Sequence, residues 1–479
     1  MKKQMLNKKN IQLFIIIILL GIATTVFFIP FHTVPDTYNV LWQKQNYCTT
    51  FLKDGRIFSA LFLWIGSLLK IPINVLDVIS NIISLFANCT SVYIIYKNIT
   101  NNENSKLENV VLFIGTFLII FNPLAMEHLA YFETGIMCIG KMLCVIAANR
   151  LVIKRKLVIP LTTLTTALFC YQGILNVFVI TTLIFIIMKK DTIKEDVKNV
   201  LKMVLICILA FGLAFIEIKI CNLIMNSQDN RLTIGNLNVK MIERILKFST
   251  GILYTTFNIE IPNFTVLAIA VTLTILLINK KYRLISQYLL SILIIIGSCI
   301  VQAFFSGIGS ISARTISAIG GIAGFSVILL VELIRKGKLN KIFISSIAII
   351  LFTVSEYMYL ENGYMLYKSN KMEQKYANEI AQQVKKYENE TGNLIKNVSF
   401  YFDKSQQKTF NGYRNNSFTI KALYTRYANA DFLRYALKED IKITEQNAKY
   451  VQYFNSKDWD EYDVKQLEFD GNTLHLCVF

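Results

Sequence analysis

The chain has 479 residues, 54% of them hydrophobic, with a mean hydropathy of +0.45 and a formal net charge of +18. That hydropathy excludes an ordinary soluble chain and points to the membrane class. The positive charge follows from a bias of Lys and Arg toward one side of a membrane and needs no nucleic acid partner.

Stretches of about 20 apolar residues are candidate membrane spans. They fall near 11–31, 73–96, 108–122, 129–149, 157–171, 173–188, 200–221, 264–279, 285–305, 316–334 and 341–360, about eleven in all. The first follows Lys2, Lys3, Lys8 and Lys9 and lacks a small-residue cleavage site, so it reads as an uncleaved signal anchor. With the N-terminus inside, the predicted inner loops collect Lys97, Arg150, Lys154, Lys190, Arg283 and Arg335 among other cations. Cations are sparser in the predicted outer loops, as the positive-inside rule requires. Within the apolar run 57–97, Pro72 separates two halves. If both halves crossed, this charge bias would reverse, so 57–71 reads as a helix in the outer interface and 73–96 as the span.

The first predicted outer loop holds His32, Asp36, Tyr38, Trp42, Tyr47, Lys53, Asp54 and Arg56. Aromatic rings among carboxylates suit a sugar, whose apolar faces stack while its hydroxyls donate to carboxylates. An ordinary wet loop with Trp and Tyr anchors has the same composition. The next outer turn, Asn122-Pro-Leu-Ala-Met-Glu-His-Leu-Ala-Tyr-Phe-Glu133, carries Glu127, His128 and Glu133. A divalent metal is open there, and so is plain helix capping or pairing with Lys141. Tyr171-Gln172-Gly173 marks a further turn, either lining a cavity or simply returning the chain. Phe305–Thr315 brings Gly307, Gly309, Ser310 and Ser312 ahead of Arg314. Such a segment suits phosphate at a helix N-terminus, or else lets Arg314 reach lipid headgroups. Another outer segment, 238–250, reads as an amphipathic helix with Lys240, Arg244 and Lys247 on one face.

Hydropathy drops near Leu360, which predicts a membrane domain over 1–360 and an extracytoplasmic domain over 361–479. In the tail, Glu373–Tyr387 and Ala428–Leu437 read as helices. Val398–Phe402, Ile441–Thr444, Tyr450–Tyr453 and Leu474–Phe479 read as strands, giving a small α/β or α+β domain. Of nine cysteines, only Cys48 and Cys477 fall in predicted outer regions, and a bridge between them is open. No GxxxxGKS/T, HExxH or GxSxG motif is present.

The segments FLKDGRIFSALF, FNPLAMEHLAYFETGIM, YQG and ISARTISAIGGIAG, in that order behind an N-terminal anchor, resemble the Gtr type II glucosyl transferase family over most of 1–360. The resemblance implies a GT-C-type, all-α polytopic enzyme. Such an enzyme takes glucose from a polyprenyl-phosphate carrier and passes it to O-antigen or another surface polysaccharide outside the bacterial membrane, with no cofactor. It places the catalytic carboxylate in the first outer loop, at Asp36 or else Asp54. The family's first loop carries adjacent acidic residues, whereas Asp36 stands between Pro35 and Thr37. Tyr38, Lys53, Arg56, Glu127, His128, Glu133, Tyr171, Gln172, Arg244 and Arg314 are then the expected substrate-binding residues. Arg56, Arg314 and Arg244 are the candidates to stabilise the departing phosphate. A flippase would line a mid-membrane path with charge, but Asp77, Lys141, Glu217, Lys219 and Glu332 are few and mostly near span ends. A glycan polymerase would share the topology.

Overall fold

The computed structural model describes residues 8–101, 103–154, 156–226, 264–305, 312–402, 408–410, 418–457, 459 and 462–478. The predicted helix at 238–250, with Arg244, and the glycines at 307 and 309 lie outside them.

Each predicted apolar segment contains a helix, but the count of spans is corrected. Among the described residues, seven helices are long and apolar enough to cross a membrane, not eleven: Ile73–Ile99, Thr134–Val152, Gln172–Lys189, Ile193–Ile224, Tyr282–Ile300, Ala313–Arg335 and Asn340–Thr391. Hydropathy located the others without measuring how long their helices are. Lys106–Ile120, Val158–Cys170 and Phe264–Ile278 have 15, 13 and 15 residues. At 1.5 Å per residue they reach about 20 Å, short of a hydrocarbon core of roughly 30 Å. Ile57–Leu68, the predicted interfacial helix, has 12 residues and exposes Leu61, Trp64 and Leu68.

Local chemistry sets the helix starts. Ser105 and Glu108 form a capping box, the Ser105 hydroxyl accepting from the Glu108 N–H and the Glu108 carboxylate from the Ser105 N–H at 2.7 Å. Packed together, the helices bury Phe117, Phe178, Phe325 and Ala148 in one apolar core. Their ends sort into two groups. At one end Arg335 meets Glu108, Lys190 meets Glu332, and Arg283 meets Asp196. At the other, residues 54–56, 127–133, 171–172 and 314 converge. The same helices connect the two groups, so these loops alternate between the ends of the bundle.

The last long helix, Lys338–Thr391, runs 54 residues without a break, about 80 Å. The predicted domain boundary at 360/361 falls inside it: polarity changes there, but no proline interrupts the backbone. Gly392, at φ +75°, ends the helix in the left-handed conformation.

A four-stranded sheet follows, built from β1 (Asn397–Phe402), β2 (Lys442–Ile443), β3 (Leu467–Asp470) and β4 (Thr473–Val478), in the order β2-β1-β4-β3. β1 runs parallel to both β2 and β4, with Val398 opposite Ile443 and Leu474. β3 is antiparallel to β4. Alternation divides the sheet into two faces. Val398, Phe400, Leu474 and Leu476 pack with Phe432, Ile380 and Tyr38. Tyr401 and Cys477 pack on the other side with Tyr450 and Phe454. Three predicted strands are present. The fourth, Tyr450–Tyr453, is corrected: it lies in a helix, Ala448–Asn455, whose N-cap Asn447 accepts from the Lys449 N–H at 3.0 Å. β3 had no counterpart in the sequence reading. Cys48 and Cys477 are not joined by a disulfide.

Candidate functional site

The Phe51–Ile57 turn is built around Gly55. Its φ of +69° lies in the left-handed region, and a side chain there would run into Ile218 and Gln172. Gln172 Nε2 donates to the Gly55 carbonyl at 2.8 Å and to that of Asp54 at 3.3 Å. Asn222 donates to the Lys53 carbonyl at 3.1 Å. The backbone of this loop is therefore held by two helices distant in sequence, and its side chains are aimed accordingly.

Arg56 donates to Glu133 Oε1 at 2.7 Å and lies 3.7 Å from Asp54. Burial opposes its charge, but Asp54 and Glu133 outweigh it and raise the guanidinium's pKa. Glu127 takes the other arginine: its Oε2 accepts the Arg314 backbone N–H at 2.8 Å, and its Oε1 lies 3.7 Å from the Arg314 side chain. Tyr171 joins the two pairs. Its hydroxyl accepts from Arg314 Nε at 2.9 Å, and its ring lies 5.1 Å from the Arg56 guanidinium. Arg314 also stacks on Tyr131 at 3.8 Å, and the Tyr131 hydroxyl donates to Glu127. Arg56 Nε and Arg314 Nη1 are buried without a hydrogen-bond acceptor among the described residues.

Asp54, Arg56, Glu127, Glu133, Tyr171, Gln172 and Arg314 thus meet, although they come from four loops. His128 sits beside them as a buried ring. Its Nδ1 is 3.1 Å from the Ala125 carbonyl, and it meets Tyr171 edge-on. Burial, with Lys141 next, pushes it well below the usual histidine range, so the ring is neutral. Glu127 and Glu133 serve different arginines. Among the described residues no three His, Cys, Asp or Glu side chains converge as metal ligands.

Asp36 lies on a cavity of about 520 Å³ where the first loop meets the C-terminal domain. Asp36 and Tyr131 line one wall; Lys408, Tyr424, Arg426 and Tyr427 line the other. Asp36 and Tyr427 line the cavity together, and burial, with the Asp36 charge next, raises the pKa of the Tyr427 hydroxyl. Arg56 and Arg314 do not line this cavity. Arg314 stacks on Tyr131, which does line it, and Arg56 lies by Tyr171.

Two predicted residues take other places. Tyr38 is buried in the domain core, 4.9 Å edge-on from Phe432, with its hydroxyl donating to Glu373 at 3.0 Å. Lys53 ends the short Cys48–Lys53 helix, and its carbonyl holds Asn222.

No protein-family model, curated protein or solved structure matches this chain. The likeness to the Gtr family therefore rests on the short motifs alone.

The cavity's second wall was missed by sequence reasoning. Its segment is set by Glu373, which accepts the Ala422 N–H on Oε1 at 2.6 Å and the Tyr38 hydroxyl on Oε2. One carboxylate thereby ties the wall carrying Tyr424–Tyr427 to the helix carrying Asp36. The available signal was the run Tyr424-Thr-Arg-Tyr427, in which two aromatic rings flank a cation.

Proposed function

We propose that this protein is a membrane glycosyltransferase. It moves a hexose, glucose by its likeness to the Gtr family, from a polyprenyl-phosphate carrier to a surface glycan on the outer face of a bacterial membrane. In this reading the N-terminus is cytoplasmic, and the domain after the long helix is extracytoplasmic. One observation carries the reading: Asp36 opens onto a sugar-sized cavity walled by Tyr131, Tyr424 and Tyr427, beside two buried arginine–carboxylate pairs.

The chemistry follows from these groups. The Asp36 carboxylate accepts the proton of an acceptor hydroxyl as that oxygen attacks the anomeric carbon. The bond from that carbon to the carrier phosphate breaks, and its electron pair leaves on the phosphate oxygen. Attack opposite the phosphate inverts the anomeric centre without a covalent enzyme intermediate. The phosphate already bears charge, so it needs positive potential rather than a proton. Arg314, stacked on Tyr131, and Arg56, beside Tyr171, supply that potential.

A deletion strain tests the function. Its surface polysaccharide should lose a side-branch hexose while keeping its chain length. Shortened chains would point to a polymerase, and retention of the full polymer inside the cell to a flippase.

A further inference from the structure

Among the described residues, the cations that line the cavity are Lys408 and Arg426, not Arg56 or Arg314. Both are exposed side chains on the wall given by the C-terminal domain, and no described carboxylate forms an ion pair with either. Around them stand Tyr424 and Tyr427, with Tyr131 opposite. Their backbone is anchored. Thr409 bridges Ile420, the Lys421 N–H donates to the Lys408 carbonyl at 2.9 Å, and Ala422 is held by Glu373. Lys408 and the Tyr424–Tyr427 segment are thus fixed to each other and to the helix of Asp36. Tyrosine faces suit the apolar face of a sugar ring, and two free cations on the same wall suit an anion attached to it.

We infer that this cavity is a binding subsite for an anionic sugar: the ring lies against Tyr424, Tyr427 and Tyr131, and the negative group lies on Lys408 and Arg426. The inference rests on the transferase reading only for which sugar is presented. Two sources supply that chemistry, the phosphate head of a lipid-linked donor and an acidic unit of the acceptor glycan.

The test uses full-length protein in lipid nanodiscs and calorimetric titration with four probes: hexose 1-phosphate, a glucuronate-containing disaccharide, methyl glucoside and inorganic phosphate. At least one anionic sugar should bind about tenfold or more tighter than methyl glucoside and inorganic phosphate. The K408Q/R426Q protein should lose about fivefold or more of that affinity, as loss of charge-assisted hydrogen bonds predicts. Both substituted residues are exposed, so folding should be retained. Preference for hexose 1-phosphate assigns the donor head; preference for the glucuronate disaccharide assigns the acceptor. Smaller losses in the substituted protein would overturn the subsite, as would phosphate alone binding as well as the sugars, or no sugar binding. An overturned subsite with hexose transfer intact would leave the transferase reading standing. Sound binding without any transfer would do the reverse.

Discussion

Arg56 and Glu133 stand 77 residues apart in the chain, yet the Arg56 guanidinium donates to the Glu133 carboxylate at 2.7 Å. This pair fixes the first predicted outer loop against the start of the Thr134–Val152 helix. It also brings Arg56 to the ring of Tyr171, whose hydroxyl accepts from Arg314.

Breaking that pair should be costly, because it leaves one buried charge without its partner. Arg56→Gln or Glu133→Gln alone should destabilise the protein by about 3 kcal/mol. The protein carrying both should lose less than the sum of the two. Unfolding of purified protein in detergent measures the three values. Strict additivity would show that the two residues do not act together.

Gly55 offers a second measurement. At φ +69° an alanine side chain is strained by about 1–2 kcal/mol, and it also meets Ile218 and Gln172. Gly55→Ala should lower the unfolding temperature and reduce activity together, since the same turn aims Asp54 and Arg56. Unchanged stability would mean that the turn readily adopts another form.

Glu373 should act through hydrogen bonding rather than charge. Glu373→Ala leaves the Ala422 N–H and the Tyr38 hydroxyl without their acceptor, at about 1–3 kcal/mol for each buried group. Glu373→Gln keeps an acceptor for Ala422 and offers Tyr38 an N–H, so it should restore most of the loss. Limited proteolysis of the C-terminal domain reads the difference. Equal cleavage of the alanine variant and the wild type would contradict the tie.

His475 gives the domain a pH dependence. The ring is buried against Tyr450 at 3.8 Å, with Tyr401 on Nδ1 at 3.0 Å. Burial is the main reason its pKa falls below the ordinary 6.5. The unfolded chain therefore binds a proton first as pH drops. The stability given by the neutral ring is complete above about pH 6.5 and is lost below it, toward the lower folded value. Thermal unfolding of full-length protein from pH 7.5 to 5.5 should show this loss, reduced in His475→Phe. An identical slope in the variant would exclude the histidine.

Much of the architecture was legible because its signals are local. Apolar runs located the helices, and alternation of loops between the two sides anticipated the meeting of Arg56, Glu133, Tyr171 and Arg314. Hydropathy could not tell a 13-residue helix at Val158–Cys170 from a full span. Tyr450–Tyr453 read as a strand from its bulky alternation, although Asn447 was an N-cap and Tyr450 and Phe454 lie one helical turn apart on the buried side. Tyr38 resembled a sugar-stacking residue because composition does not reveal which loop tyrosines are covered. Its partner Glu373 is 335 residues away. The cavity's far wall was hidden for the same reason: Asp36 meets Tyr427 only because a separate domain folds back onto the first loop.

The most direct measurement is hexose transfer by purified Asp36→Asn protein, using a polyprenyl-phosphate hexose and the surface glycan as acceptor. The substitution keeps the shape and removes the proton acceptor, so turnover should fall about 100-fold or more while the unfolding temperature stays unchanged. Wild-type turnover in the asparagine variant would contradict the account.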